Sequence, residues 1–382
     1  MDRGTIGFPQ SSQNIFSAMS QLSQTQYQKA LILPSKQGSF TLSSDTILKP
    51  THAHPDELLV KVHAVGLNPV DWKIQAWGIV FDEEKHYPAV LGVDISGEVI
   101  DVGQNVKRGF QKGDRVFFGG TFKNEYAGFQ EYTSIPGDLA AKIPTNLSYS
   151  QAASLPVGVA TALIGSFAEA PLGLGLNPSF EPGLKNFENQ SALVINANGS
   201  VGQYVLQLLR YLNFGSIIAY SSSHHFDYLK TLGATHFIGR TDVSLSDLAA
   251  VHAARPVTTN PITVVWDAFG SSEARQAGYD ILPVEGGKLV TVEPWVNQPV
   301  DSGSKKRITF VNVAGNVHNA ANAAVGKKIY EKFPDLIKEG IIVPNKIEDL
   351  KGGLESIIDG LRRIKENKHE GLKLIGHPQE TA

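Results

Sequence analysis

Between residues 191 and 212 the chain turns from apolar to small to amphipathic. Ser191-Ala192-Leu193-Val194-Ile195 reads as a short buried strand, Asn196 through Gly202 as a tight turn, and the rest as a helix with apolar residues three and four apart. The same alternation continues downstream, with a strand over 216–220, a helix over 225–232, Gly233-Ala234, and strands over 236–238, 263–267, 288–292 and 308–313. Single strands alternating with helices predict an α/β fold, a doubly wound parallel sheet of the Rossmann type. Residues 28 to about 161 carry a different pattern of short strands punctuated by Gly and Pro. There 58–65 alternates, and 90–102 reads as one long strand interrupted at Gly97, which predicts a compact β-rich domain. Residues 170–187, with Pro171, Gly173, Gly175, Pro178, Pro182 and Gly183, predict an irregular surface loop. Helices over 319–340 and 352–367 and a strand over 373–375 hold no dinucleotide motif and are expected to return to the first domain. The expected division is therefore 28–161 with 320–382, and 162–319. Residues 1–27, rich in Ser and Gln, read as a disordered leader in which Met19 offers a second start.

The turn after the first Rossmann strand is the first candidate for chemistry. Small residues there let the backbone approach a pyrophosphate, whose charge rests on amides at the helix N-terminus. Asn198, Gly199, Ser200, Val201 and Gly202 are the candidates, with Asn196 in the place of the first glycine. An NAD site usually sets Asp or Glu about 20 residues further on for the ribose hydroxyls. This chain has Ser221-Ser222-Ser223-His224-His225, and Asp227 already lies inside the next helix. Ser221, Ser222 and His224 can bond a 2′-phosphate without repelling it, which favours NADPH. No Arg lies in the segment, and the nearest cations in sequence are Lys230 and Arg240. A serine-rich helix cap is the alternative.

With 34 Lys+Arg against 37 Asp+Glu in 382 residues, no electrostatic case exists for nucleic acid or an anionic membrane. No apolar run approaches the roughly 18 residues of a membrane span. The chain has no cysteine, so disulfides and thiolate-ligated zinc are excluded, and a reducing cytoplasm is the expected setting. His63, His86, His318 and His369 show no metal-ligand spacing. Trp72, Trp77, Phe81, Phe122, Phe269 and Trp295 are spread where an apolar pocket can form, which points to a small apolar substrate.

Several motifs carry a specific resemblance. Gly66-Leu67-Asn68-Pro69-Val70-Asp71-Trp72-Lys73, Leu91-Gly92-Val93-Asp94-Ile95-Ser96-Gly97-Glu98-Val99 and Lys112-Gly113-Asp114-Arg115-Val116 resemble the medium-chain dehydrogenase/reductase superfamily. So do Gly128-Phe129-Gln130-Glu131-Tyr132, Ala152-Ala153-Ser154-Leu155-Pro156 and Glu370-Gly371-Leu372-Lys373-Leu374-Ile375. The match runs in one order from Gln28 to Ile375 and is most similar to the zinc-free quinone oxidoreductase and enoyl reductase branch, in particular fungal members. The resemblance implies a GroES-like domain beside the Rossmann domain, and a monomer or homodimer. Zinc-dependent relatives carry ligands where this chain has Asn68, Gly92-Val93-Asp94 and a position near Val157, so a zinc-independent enzyme is implied. Lys73 falls on the functional lysine of the enoyl reductase motif, with Asn68 and Asp71 beside it as catalytic candidates. Asp71 is read first as a cap or an orienter of Lys73. Thr161 and Phe269 fall on the cofactor side, Thr161 facing the nicotinamide. The implied reaction is NADPH-dependent reduction of a carbon–carbon double bond conjugated to a carbonyl. Quinone reduction, or a non-catalytic NADPH-binding sensor or partner subunit, are the alternatives.

Overall fold

A computed structural model of the chain describes residues 26–81, 84–183, 186–293 and 306–382. The first 25 residues of the expected leader, Met19 and Trp295 lie outside the described residues. The β-rich part comprises β1 (Tyr27–Leu33), β2 (Thr41–Leu48), β3 (Glu57–Gly66), β4 (Ala89–Val90), β5 (Asp94–Val102), β6 (Arg115–Gly119), β7 (Tyr132–Pro136) and β8 (Ala140–Lys142). The parallel part comprises β9 (Ser191–Ile195), β10 (Ser216–Ser221), β11 (His236–Gly239), β12 (Ile262–Asp267), β13 (Gly287–Thr291) and β14 (Ile308–Asn312). Two C-terminal strands follow, β15 (Ile347–Asp349) and β16 (Lys373–Gly376).

Strands β9 to β14 form one parallel sheet in the order β11-β10-β9-β12-β13-β14. This is the doubly wound Rossmann order, and its strands are apolar because helices cover both faces. The C-terminal strands do return to the first sheet, whose order is β15-β16-β3-β5-β6-β8, with β7 also on β3. Ile375 and Gly376 of β16 pair antiparallel with Gly66 and Val65, so the strand bearing Lys373 ends beside the start of the Asn68–Lys73 motif.

Three sequence expectations are corrected. Gly97 does not interrupt a strand: β5 runs through it, and the bulge lies opposite, where Val62 pairs with Gly97 and Ala64 with Ser96. Glycine is needed there because a Cβ would run into the Lys61 carbonyl. The real break is at residues 91–93, where β4 leaves for a separate three-stranded sheet with β1 and β2 and Gly92 takes φ 88°. The 58–65 alternation holds over 60–64 but is lost at both ends, where Leu58 and Leu59, and Ala64 and Val65, are buried in succession. The third correction concerns the 170–187 segment, whose described residues 170–183 and 186–187 are irregular but partly buried: Leu174, Leu176 and Phe180 enter the core, and the amides of Leu174 and Leu176 donate to Gly165 O and Ser166 O.

The expected boundary between 161 and 162 falls inside the helix Pro156–Phe167. The N-terminus of that helix reaches the first sheet, with the Val157 amide donating to Asp94, and its C-terminal turn packs on the second, where Gly165 lies against the Trp266 indole. One continuous core accordingly spans both sheets, and a second covers the other face of the parallel sheet.

Candidate active site

In an open parallel sheet the crevice beyond the carboxyl ends of the strands is the natural ligand site. At the end of β9, Asn196 adopts the left-handed conformation (φ 60°), which Asn tolerates better than most residues, and its Nδ2 donates to Ala268 O at 3.1 Å. A Cβ on Gly202 would strike the Asn196 carbonyl, so only glycine lets the helix Ser200–Tyr211 sit under this turn. The first amides of that helix have no intrahelical acceptor and are available to an anion. Ser200 and Asn198 are otherwise engaged: Ser200 Oγ donates to Asn345 Oδ1 at 2.6 Å, and Asn198 O accepts from Gln203 Nε2 at 2.7 Å. The Ser200 hydroxyl and the Asn198 carbonyl are thus held within the protein, while the amides at the start of the helix face no intrahelical acceptor. Gln203 Nε2 also donates to Gly371 O at 3.0 Å, which fastens the turn to the C-terminal segment.

Beyond β10 the three candidates separate. Ser221 is buried and its hydroxyl donates to Ser222 O at 3.2 Å. Ser222 is half-buried and makes no side-chain cap bond to the 3₁₀ turn Ser223–His225, which argues against the serine-cap alternative. His224 is exposed, with its ring 3.9 Å from that of His225. Burial, then the His224 and Arg240 charges, lower the pKa of His225 and favour its neutral form. Arg240 follows β11, its amide donates to Ser221 O at 3.0 Å, and its charge bears on both His225 and Tyr220. Lys346 also bears on His225, with its ammonium 4.0 Å from the Tyr228 ring.

The motif 68–73 opens the helix Pro69–Trp77, with Pro at its first position and Asn68 as N-cap. Asp71 Oδ2 accepts from the Asn68 amide at 2.9 Å and Oδ1 from the Gly92 amide at 3.3 Å, as a capping residue should. Fully buried, its carboxyl is pushed up to about 7 by desolvation, against those two bonds and the Lys373 charge. Asn68 has its functions engaged within the protein: Nδ2 donates to Asp94 Oδ2 (2.8 Å) and Gly66 O (3.2 Å), and Oδ1 accepts from Lys373 Nζ (2.8 Å). Its place is structural in this geometry. Lys73 is no solvated surface lysine. Its ammonium lies 3.0 Å from Glu293 Oε2 and 5.2 Å from the Trp77 ring, and the paired side chains are only 17% and 11% exposed.

The positions that bear zinc ligands in relatives converge on Asp94. Asp94 Oδ1 accepts from the Val157 amide at 2.6 Å, and Oδ2 meets Asn68 Nδ2 and, at 2.6 Å, Lys373 Nζ. Val93 and Val157 offer no donor atom and Asn68 is satisfied. A buried ammonium already neutralises the one carboxylate, so these residues do not fit a catalytic zinc.

Thr161 Oγ1 donates back to Val157 O at 2.7 Å, and Gly315 packs against it so closely that a Cβ there would overlap the hydroxyl. Phe269 stands 51% exposed at the end of β12 and Trp77 52% exposed at the end of its helix. Of the other aromatics, Phe81 belongs to the core and Trp72 and Phe122 pack against it. His318 Nε2–H donates to Gly119 O at 2.8 Å, and burial lowers the pKa of the ring.

Four residues were given no part in the site by the sequence reading. Asp94 entered only as a lost zinc-ligand position and Lys373 only within a motif. Arg240 was noted as a nearby cation, and the parallel pairing of β10 and β11 brings it beside Ser221. Glu293 had the clearest signal, an acid two residues beyond a Rossmann strand and thus at the crevice edge.

A family model described as "Alcohol dehydrogenase GroES-like domain" matches residues 54–145. The chain is 32% identical over 340 residues to dehydrogenase pigH of Monascus ruber, covering 81% of this chain and 89% of that relative. It is 29% identical over 328 residues to trans-enoyl reductase ACTTS2 of Alternaria alternata, covering 83% and 90%. The solved quinone oxidoreductase of Pseudomonas syringae pv. Tomato DC3000 matches with a TM-score of 0.68 at 20% identity, covering 92% of this chain and 100% of that one, a likeness of fold. Motif order, parallel-sheet topology and these relatives agree: the chain belongs to the medium-chain dehydrogenase/reductase superfamily of oxidoreductases.

Proposed function

We propose that this oxidoreductase is a zinc-independent, NADPH-dependent reductase of carbon–carbon double bonds conjugated to a carbonyl, acting on small apolar enals, enones or enoyl groups. The observation that carries the reading is the Lys73 ammonium, held at the crevice edge rather than in solvent. When bound, NADPH supplies the hydride for the β-carbon. The amides at the start of the helix Ser200–Tyr211 would hold its pyrophosphate, and Ser222, His224 and Arg240 its 2′-phosphate. Arg240 answers the main objection to NADPH, since neutral imidazoles alone bind phosphate weakly. Lys73 places a positive charge where the enolate oxygen develops, and a proton from Lys73 or water completes the α-carbon. Trp77 and Phe269 offer apolar surface to the rest of the substrate. Asn68 and Asp71 act on this chemistry by fixing the start of the helix that carries Lys73. The trans-enoyl reductase name of the Alternaria relative supports the same reaction. With this reading go a cytoplasmic setting and a monomer or homodimer.

The test is NADPH consumption with a panel of enals, enones and quinones, repeated with NADH and after chelation. Conjugated-carbonyl turnover with NADPH, unchanged by the chelator, is expected. A chelator-sensitive activity restored by zinc contradicts zinc independence, and NADPH binding without turnover of any acceptor identifies a non-catalytic protein.

A further inference from the structure

We propose that Glu293 is the positioning residue for Lys73, an acid from the parallel sheet that holds and orients an ammonium delivered by the other domain. The inference rests on the reading of Lys73 given above and adds a residue to it.

Lysine is poorly suited to act alone at a fixed point, because its four-carbon stem rotates freely and its charge has no preferred direction. Lys73 leaves the helix Pro69–Trp77 of the β-rich part, whereas Glu293 stands just past β13, and the two meet across 220 residues of chain. Lys73 Nζ donates to Glu293 Oε2 at 3.0 Å, which ties the ammonium to a fixed point on the parallel sheet.

The carboxylate itself is seated by its surroundings. Gly270, in the left-handed conformation at φ 82°, lies under it, and a Cβ there would come within 3.2 Å of Glu293 Cβ and 3.4 Å of Oε2. That glycine turn is built by Asp267, which is fully buried: Oδ1 accepts from the amides of Phe269 (3.0 Å) and Gly270 (2.8 Å), and Oδ2 accepts from Thr291 Oγ1 (2.8 Å). Thus Thr291 of β13 braces Asp267 of β12, Asp267 shapes the turn at Gly270, and the turn seats Glu293 two residues beyond Thr291. An acid on an exposed loop would need no such support. The arrangement aims the Lys73 ammonium from the side of the crevice where a dinucleotide is held, which is how a charge gains effective concentration at a reacting oxygen.

The experiment compares wild type, Glu293→Gln, Glu293→Asp, Lys73→Met and the double variant Lys73→Met with Glu293→Gln. Each is assayed for kcat and KM with a reactive enone and for NADPH affinity, and Lys73 labelling by an amine-reactive reagent is followed by mass spectrometry. Glu293→Gln should lower kcat about tenfold with KM and NADPH affinity within about twofold, the split expected when an interaction serves the transition state. It should also speed Lys73 labelling. Glu293→Asp should recover part of kcat, and in the Lys73→Met background Glu293→Gln should change kcat less than about twofold, because a residue acting through another has no further effect once that one is gone. Wild-type kcat in Glu293→Gln, or an equal loss in the Lys73→Met background, overturns the inference while leaving the reaction standing. A wild type that reduces no enone overturns the reaction and the role of the pair together.

Discussion

Lys373 meets Asp94 at 2.6 Å with side chains 4% and 0% exposed, whereas Lys73 meets Glu293 at 3.0 Å with side chains 17% and 11% exposed. The first pair is closed on every side: Asp94 also takes the Val157 amide and Asn68 Nδ2, and Lys373 also gives to Asn68 Oδ1. It joins the C-terminal strand, the start of the motif helix and the start of the helix Pro156–Phe167 at the center of the first sheet. The second pair joins two domains at the rim of a crevice, flanked by the exposed Trp77 ring. Burial, more than charge or motif membership, separates the two lysines: the first is enclosed in the core, and the second lies where the proposed chemistry would need it.

The largest expected effect lies in the buried pair. Asp94→Asn leaves an ammonium with no compensating charge in the core, and breaking such a pair costs about 3–5 kcal/mol. Chemical denaturation should show that loss, and a change below about 1 kcal/mol would make the pair peripheral to stability. Next comes Lys73→Met, which should lower kcat with a reactive enone roughly 10- to 1,000-fold with NADPH affinity nearly intact. Loss of NADPH affinity alone would move Lys73 to the cofactor. Third, Ser222→Asp should weaken NADPH at least about tenfold, or about 1.4 kcal/mol, with NADH little changed, since a carboxylate there repels the 2′-phosphate. Fluorescence titration giving equal losses for both would remove Ser222 from that subsite.

A pH-dependent effect concerns Asp71, whose carboxyl is raised from 3.8 to about 7, chiefly by burial. The folded state then holds its proton more tightly than the unfolded chain, so the stability this group contributes is complete below about pH 4 and lost as pH rises through about 7. Asp71→Asn should flatten the decline of unfolding free energy over that interval. An unchanged slope would show that the two amide bonds keep the group ionised.

Much of this was legible in the sequence because local rules govern it. The Rossmann strands, the small-residue turn and the return of the C-terminal strand follow from periodicity and motif order, and Asp71 as a cap follows from its spacing to Asn68. What escaped was set by contacts distant in sequence. Gly97 signals a break locally, yet it is where β3 crowds β5. The helix Pro156–Phe167 belongs to both domains because its two ends find different sheets. Asn68, a donor by chemistry, is consumed by Asp94 and Lys373, residues 26 and 305 positions away. Glu293 reaches Lys73 only once both domains are assembled.

The most direct test of the division between the two lysines is the unfolding free energy of Lys73→Met and Lys373→Met, measured side by side in denaturant. Lys373→Met should lose about 3–5 kcal/mol, because Asp94 is left charged and buried. Lys73→Met should lose less than that, since the Lys73 and Glu293 side chains keep 17% and 11% exposure where Lys373 and Asp94 keep 4% and 0%. Equal losses, or the greater loss in Lys73→Met, would mean that the crevice pair supports the fold as much as the buried one and would contradict its assignment to chemistry.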